Sequence, residues 1–151
     1  MEISVIIPVY NEEGSLGLLY KELKSAMDSL GRDYEIIFVN DGSTDNSYAS
    51  LDEISKTDKR IRVIHFDRNY GMTSVLDAGL RYAQGDFILT IDADLQYKTL
   101  DLIKVFYELQ DNDVIICRRL NRRKADGFIK TVSSKIANHI RIYILREDFH
   151  D

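Results

Sequence analysis

Apolar residues occur along this chain in two alternating patterns. In the first, short runs are almost continuously apolar and rich in β-branched residues, which is typical of strands buried on both faces. These runs lie at 3–10, 34–40, 61–66, 86–91 and 113–117. In the second, apolar residues recur every three or four positions, as they do along one face of a helix.

Five segments have this helical spacing, and each follows one of the apolar runs. Their apolar positions are Leu16, Leu19, Tyr20, Leu23, Ala26, Met27 and Leu30; Leu51 and Ile54; Met72, Val75, Leu76, Gly79, Leu80 and Ala83; Leu102, Ile103, Phe106 and Leu109; and Phe128, Ile129, Val132, Ile136, Ile140 and Ile144. Gly31 is a natural end for the first helix. The alternation predicts an α/β fold, with a mostly parallel sheet and helices on both faces.

Polar residues follow each predicted strand at its carboxyl end. In open α/β sheets, ligands bind at that edge. Taken singly, Asp41 to Ser43 could cap a helix, Asn69 to Gly71 could form a turn, and Tyr10 could simply pack. Together these groups predict a binding site. They are Pro8, Tyr10, Asn11 and Glu12; Asp41, Gly42 and Ser43; Asp67, Arg68, Asn69 and Gly71; Asp92, Asp94 and Gln96; and Arg118, Arg119 and Arg122.

The segment TIDADLQ places two carboxylates, Asp92 and Asp94, directly after the fourth predicted strand. In extended backbone, residues i and i+2 point to the same side, where two carboxylates repel each other unless a cation lies between them. Mg²⁺ and Mn²⁺ are commonly held by one or two carboxylates together with substrate phosphates, and Gln96 could add a neutral oxygen. This predicts a substrate with a diphosphate. Asp111 and Asp113 have the same spacing but precede a strand, so we interpret them as a solvated turn.

Composition and charge narrow the interpretation further. The chain of 151 residues carries a net charge of −5, which fits one soluble domain. Residues 118–146 nevertheless hold nine Lys or Arg and one acid, a local charge of +8, which can mark an anionic partner or only a solvated helix face. No apolar run is long enough to span a bilayer, and we do not expect MEISVIIPVY to be a signal peptide, because it lacks a basic leader and a small-residue cleavage site. We interpret His65 as structural, and give His139 and His150 no metal role. Cys117 cannot form an internal disulfide, which favours a cytosolic protein.

Three segments, in this order, resemble the inverting family 2 glycosyltransferases. They are VIIPVYNEEGSL at 5–16, VNDGSTDNS at 39–47 and RNYGMTSVLDAGLRYAQGDFILTIDADLQ at 68–96. The segments DADLQ and RRLNRRKADGFIK resemble the branch that moves a sugar from a nucleotide donor to a polyprenyl phosphate, such as dolichol or undecaprenyl phosphate. The resemblance implies a nucleotide-diphospho-sugar transferase, or type A glycosyltransferase, fold, which is a Rossmann-like and mostly parallel sheet.

The resemblance also implies roles for individual residues. Nucleotide binding would fall to Pro8, Tyr10, Glu12, Asp41, Asn69, Gly71 and Asp92. Asp94 would hold Mg²⁺ or Mn²⁺, with Asp92 and Gln96 assisting, so that Asp92 and Asp94 form the DXD motif of the catalytic site. Arg119 and Arg122 would complete that site by binding the acceptor phosphate. The implied donor is a UDP- or GDP-linked sugar.

Several expectations concern the protein as a whole. We expect residues 1–151 to form a glycosyltransferase catalytic domain truncated at its acceptor side, because relatives continue beyond EDFHD. A cytoplasmic protein peripheral to or anchored in the membrane is expected, possibly a homo-oligomer, with no nucleic-acid partner. Tyr97, Lys98 and Thr99 depart from the His-Pro-Pro often found in the family. Two alternatives stay open: a soluble enzyme of polysaccharide synthesis with a hydroxyl acceptor, for which Asp148 or Asp151 would be the base, and a nucleotide-sugar-binding module without turnover.

Overall fold

The computed structural model describes residues 1–96, 99–108 and 114–115. Within these residues four strands alternate with four helices, as the sequence predicts. The elements are β1 (Ile3–Val9), α1 (Leu16–Leu30), β2 (Tyr34–Asn40), α2 (Ser47–Thr57), β3 (Ile61–His65), α3 (Met72–Tyr82), β4 (Phe87–Thr90) and α4 (Thr99–Glu108). All of them lie in one unit, Met1–Asp111.

The four strands form one parallel sheet in the order β3-β2-β1-β4. The chain therefore moves outward from β1 to β3 and then crosses to the other side of β1 for β4. Because parallel crossovers are almost always right-handed, α3, which connects β3 to β4 across this reversal, must lie on the face of the sheet opposite to α1 and α2. The topological switch point lies between β1 and β4.

Two apolar layers confirm helices on both faces. One contains apolar side chains of α1, α2 and α4 packed on alternate residues of β1, among them Ile3, Val5 and Ile7. The other lies under α3, where Val75 packs with Ile6, Ile37 and Val39. Strand β1 is central and its apolar side chains are buried, which explains its nearly continuous apolar sequence.

Helix α1 ends where the sequence predicts. Gly31 adopts a left-handed conformation with φ of 65°, and its N–H donates to the carbonyl of Asp28 at 3.2 Å. Glycine carries no Cβ penalty in this conformation, so it terminates the helix at little cost.

The apolar face of α3 differs from the prediction. Met72 and Leu80 are 54% and 53% exposed, while Val75 and Gly79 are buried. Gly79 explains the shift, because a Cβ at this position would lie 2.5 Å from Cγ2 of Ile6. The helix thus approaches the sheet along the line of Val75 and Gly79, which turns Met72 and Leu80 away from it.

Several predicted features fall at or beyond the limits of the described residues. Val114 and Ile115, expected in a fifth strand, are not in a strand. The rest of that run and the last amphipathic helix lie outside the described residues, as do Cys117, Arg118, Arg119, Arg122, His139, Asp148, His150 and Asp151. The comparison pair Asp111 and Asp113 also lies outside them. Of the helices that are described, none is long and apolar enough to cross a membrane.

Candidate functional site

A cleft of about 360 Å³ opens at the carboxyl ends of β1, β2 and β4, beside the first turn of α3. Its lining consists of Pro8, Val9, Tyr10, Glu12, Asp41, Met72, Val75, Asp92, Ala93 and Asp94. The cleft lies at the switch point between β1 and β4, where ligands bind in open α/β sheets. Six of the lining residues were predicted from the sequence as site residues: Pro8, Tyr10, Glu12, Asp41, Asp92 and Asp94.

The four loops at this edge position the cleft. We call them L1 (residues 10–15, after β1), L2 (41–46, after β2), L3 (66–71, after β3) and L4, whose described part is 91–96, after β4. Each loop starts where its strand ends. Because the strands are parallel, all four loops emerge at the same edge.

Pro8 occupies the place where β1 and β4 separate. Pairing between the two strands runs only as far as Ile6 and Thr90, after which Ile91 donates its N–H to the carbonyl of Ile6 at 3.1 Å. In a parallel strand, alternate residues direct their backbone groups to the same neighbour, so Pro8, like Ile6, faces the β4 side. Because β4 has already ended there, a backbone N–H at position 8 would have no strand partner. Proline, which has no N–H, therefore costs the sheet no hydrogen bond at this position.

Asp41 joins the end of β2 to L3. Its side chain is nearly buried, at 5% exposure for the residue. The two carboxylate oxygens accept the backbone N–H groups of Tyr70 at 2.7 Å and Gly71 at 3.0 Å. The alternative that Asp41 caps the following helix is therefore wrong, since Asp45 accepts the N–H of Ser47 at the start of α2, at 2.9 Å.

L3 passes directly over Gly42. This glycine has φ of 65°, and a Cβ there would lie 2.3 Å from the carbonyl carbon of Arg68 and 2.7 Å from the nitrogen of Asn69. Only glycine allows this approach. Asn69 and Gly71, predicted to shape the floor of the pocket, are not among the lining residues, whereas Met72, the residue after Gly71, is.

Asp92 and Asp94 reach the cleft through a turn. The prediction assumed extended backbone, but β4 ends at Thr90 and the chain turns at Ala93 and Asp94. Leu95 adopts a positive φ of 57°, and Asp94 Oδ1 accepts the backbone N–H of Gln96 at 3.0 Å. This turn leaves Asp92 exposed and Asp94 half-buried, with both in the lining.

The electrostatic character of the cleft fits a divalent cation. Four of the ten lining residues, Glu12, Asp41, Asp92 and Asp94, are acidic, and none is Lys, Arg or His. A diphosphate entering this cleft would be repelled unless a cation accompanied it. No group of three or more His, Cys, Asp or Glu side chains in the described part of the chain could hold a metal. Asp92 and Asp94 could hold such a cation only together with oxygens from substrate phosphates, which is a usual arrangement for Mg²⁺.

Glu12 and Tyr10 complete the β1 side of the cleft. The carboxylate of Glu12 accepts the hydroxyl of Ser15 at 2.9 Å, and its backbone N–H donates to the Ser47 hydroxyl at 2.9 Å. Tyr10 is 48% exposed at the rim. Sequence reasoning did not place Ser47 in the site, nor the apolar lining residues Val9, Met72, Val75 and Ala93.

His65 has the structural role that the sequence predicts. It lies in β3, and its ring stacks on Tyr48 with centroids 3.9 Å apart. Its Nδ1 lies 3.0 Å from Asn40 Nδ2, and its Nε2 lies 3.3 Å from the carboxylate of Asp52. The ring is not part of the cleft lining.

Comparison with known proteins indicates what kind of fold carries this cleft. The family model "Glycosyl transferase family 2" matches residues 4–150. The protein is 38% identical over 130 residues to the uncharacterized glycosyltransferase YkcC of Bacillus subtilis, covering 86% of this chain and 40% of that protein. The chain spans about 40% of the length of the curated relatives it matches.

Solved structures show the same fold at lower identity. The chain matches S. aureus TarS 1-349 in complex with UDP with a TM-score of 0.60 and 23% identity, over 84% of this chain and 38% of that one. It matches the mannosyltransferase PcManGT of Pyrobaculum calidifontis, in complex with GDP-Man and Mn²⁺, with a TM-score of 0.54 and 21% identity, over 70% and 31%. These likenesses establish the fold as that of a type A glycosyltransferase.

Proposed function

Because the chain belongs to glycosyl transferase family 2, we propose that its cleft binds a nucleotide-diphosphate sugar and that the protein transfers the sugar to an acceptor with inversion. Residues 1–151 would be its catalytic domain. The observation that carries the proposal is the position of Asp41, Asp92 and Asp94 in one cleft at the switch point of the sheet. Acidic groups at this place suit a donor that carries both a nucleobase and a metal-bound diphosphate.

The two ends of the donor would meet different parts of the cleft. Asp41 accepts hydrogen bonds only, so it favours a base that presents a ring N–H, as uracil does at N3 and guanine at N1, whereas the corresponding ring nitrogen of cytosine or adenine only accepts. Each of its oxygens already accepts one backbone N–H and keeps a free lone pair. Pro8, Tyr10 and Glu12 would flank the nucleoside. Support comes from fold neighbours whose complexes contain UDP, UDP-GlcNAc and GDP-Man.

Asp94 and Asp92 would hold Mg²⁺ or Mn²⁺ against the diphosphate. The metal, when bound, supplies positive charge that stabilises the leaving nucleotide. Asp94 is the better-placed ligand, because its Oδ1 is held by the Gln96 N–H while the rest of the carboxylate is available. Gln96 acts through its backbone in the structure, and its side chain is exposed and absent from the lining. The Mn²⁺ in the mannosyltransferase complex supports this assignment.

The acceptor is proposed to be a polyprenyl phosphate. A phosphate acceptor is already largely ionised at neutral pH, its second pKa being about 6, so it needs no general base. Arg119 and Arg122 would bind the phosphate through paired hydrogen bonds, and the basic segment 118–146 would associate with anionic lipid. A hydroxyl acceptor, with Asp148 or Asp151 as base, is the second candidate.

A nucleotide panel followed by a transfer assay tests the proposal. Titration calorimetry with UDP, GDP, CDP and ADP, each with and without Mn²⁺, should show metal-dependent binding of UDP or GDP and weaker binding of CDP. Transfer should then be seen with a short polyprenyl phosphate and not with a soluble sugar. Metal-dependent binding without transfer to either acceptor would favour a binding module. Failure to bind any nucleotide would refute the site.

A further inference from the structure

The strongest feature that the proposed function leaves unexplained is the contact between L1 and L2. Both loops carry residues that line the cleft: Tyr10 and Glu12 lie on L1, and Asp41 lies on L2. Neither loop has regular secondary structure of its own beyond turns and bends. Contacts other than the sheet ladder must therefore fix the position of one loop relative to the other.

Asn11 is the centre of this contact. Its side-chain Oδ1 accepts the backbone N–H of Thr44 at 2.8 Å and lies 3.3 Å from the Thr44 hydroxyl. Its own backbone N–H donates to the Ser43 hydroxyl at 2.9 Å. One residue of L1 is thus bound to two consecutive residues of L2, through its backbone and through its side chain.

The backbone of Asn11 is also unusual, with a φ of 56°. Among residues other than glycine, asparagine adopts this left-handed conformation most readily, together with aspartate. The conformation and the hydrogen bonds make different demands on the side chain. Glycine would satisfy only the first, aspartate would satisfy both, and alanine would satisfy neither.

Further hydrogen bonds run in both directions beside Asn11. Glu13 donates its N–H to the carboxylate of Asp45 at 3.1 Å, and the carboxylate of Glu13 accepts the N–H of Asn46 at 2.8 Å. On the other side, Ser43 donates its N–H to Oδ1 of Asn40, at the end of β2, at 3.0 Å. L1 is therefore anchored through L2 to the sheet.

We propose that Asn11 is a positioning residue for nucleotide binding, which fixes Tyr10 and Glu12 relative to Asp41 before a ligand enters. This inference rests on the proposed function. Its physical basis is preorganisation: a loop that is already ordered does not lose further conformational freedom when the ligand binds. Asn11 itself is not among the cleft-lining residues, so it acts through its neighbours.

Three substitutions of Asn11 separate backbone conformation from hydrogen bonding. Asn11→Gly keeps the positive φ and loses the acceptor, so it should weaken UDP or GDP binding in the presence of Mn²⁺ by about 3- to 10-fold, the loss expected for one net hydrogen bond. Asn11→Asp keeps both properties and should stay within about 2-fold of wild type. Asn11→Ala should be the weakest binder of the three.

Gly31→Ala is the matched control for general destabilisation. Gly31 also has a positive φ, but it ends α1 at the opposite edge of the sheet, and a Cβ there meets nothing within 4 Å. This variant should lower the melting temperature and leave nucleotide affinity unchanged. A second readout, hydrogen–deuterium exchange of the ligand-free chain, should show faster exchange in residues 41–47 for Asn11→Gly and not for Gly31→Ala.

The outcomes distinguish this inference from the proposed function. Unchanged exchange in 41–47, or faster exchange with unchanged nucleotide affinity, would overturn the role of Asn11 while leaving the proposed function intact. Asn11→Asp binding the nucleotide as weakly as Asn11→Gly would also overturn the role of Asn11. A wild-type chain that binds neither UDP nor GDP would overturn the proposed function itself, and the positioning role with it.

Discussion

The carboxylate of Asp41 accepts the backbone N–H of Gly71 at 3.0 Å, which ties the end of β2 to the residue that precedes α3. The second oxygen binds the N–H of Tyr70. One nearly buried side chain therefore both lines the cleft and holds the loop that leads into α3. Binding and local stability cannot be independent at this position.

Asp41→Ala should accordingly affect two measurements. Nucleotide affinity should fall by about 10- to 150-fold if a charge-assisted hydrogen bond to the base is lost. The free energy of unfolding should also fall, by about 1–3 kcal/mol, because two backbone N–H groups lose their acceptor. Calorimetry and urea unfolding measure the two effects. A variant with reduced stability but wild-type affinity would show that Asp41 only anchors L3.

Asp94→Asn should remove the metal-dependent part of donor binding. Asparagine keeps an Oδ1 that can accept the Gln96 N–H, so the turn of L4 should be preserved while the charge is lost. Nucleotide titrations with Mn²⁺ and with EDTA measure the difference. Asp77→Asn is the control, because Asp77 is exposed on α3 and pairs with Arg81 at 2.8 Å, outside the cleft lining. Equal losses in both variants would refute the metal assignment.

Gly42→Ala should destabilise the protein and weaken nucleotide binding together. A Cβ at Gly42 meets backbone atoms of Arg68 and Asn69, which cannot rotate away as a side chain can. L3 must therefore shift in this variant, and the N–H groups of L3 that bind Asp41 should shift with it. Gly17→Ala provides the control: this glycine lies in α1 with nothing within 4 Å of a Cβ, and alanine in a helix should stabilise by about 0.5–1 kcal/mol. Thermal unfolding of both variants should show shifts of opposite sign.

A charged network at the amino end of β2 should make stability fall at acidic pH. Hydrogen bonds from Lys24, Tyr34 and Arg60 hold the pKa of Asp28 well below its ordinary value of 3.8, and Arg60 holds the pKa of Asp58 at about 2. The Arg60 guanidinium lies 2.9 Å from Asp28 Oδ1 and 2.6 Å from Asp58 Oδ2.

The direction of this pH dependence of stability follows from proton binding. Between the ordinary and the lowered pKa, the unfolded chain binds more protons than the folded chain, so stability rises with pH. The contribution is fully present above about pH 4 to 5 and is lost as pH falls from about 4 towards 2. Urea unfolding at successive pH values should show this slope, and Asp58→Asn should flatten it. A slope unchanged in that variant would contradict the assignment. Asp77→Asn should change this slope little, because Asp77 and Arg81 form an exposed ion pair.

The acceptor prediction concerns Arg119 and Arg122, which lie outside the described residues. Replacing both with alanine should raise the KM for polyprenyl phosphate or lower transfer, while affinity for the nucleotide donor stays unchanged. Lys21→Ala with Lys56→Ala is the control, since both lysines are exposed on α1 and α2. Binding to anionic vesicles should also weaken with salt. Transfer at the wild-type rate by the double arginine variant would exclude this role.

The sequence alone determined the order of the elements, the parallel sheet and the edge that carries the cleft. Each strand and helix has its own apolar period, which is a local property that can be read along the chain. Once the strands are parallel, their carboxyl ends must share an edge. Pro8, Asp41, Asp92 and Asp94 could therefore be placed together without coordinates.

Only the tertiary structure decided how these residues are held. Asp41 binds the N–H groups of L3, Asn11 binds Thr44, and Gly42 lies under Arg68, although each pair is about 30 residues apart in the chain. Contacts between a side chain and a distant backbone group have no period and leave no pattern in the sequence. The exposure of Met72 likewise depends on how closely Gly79 approaches Ile6. The packing of α3 on the whole sheet sets that distance.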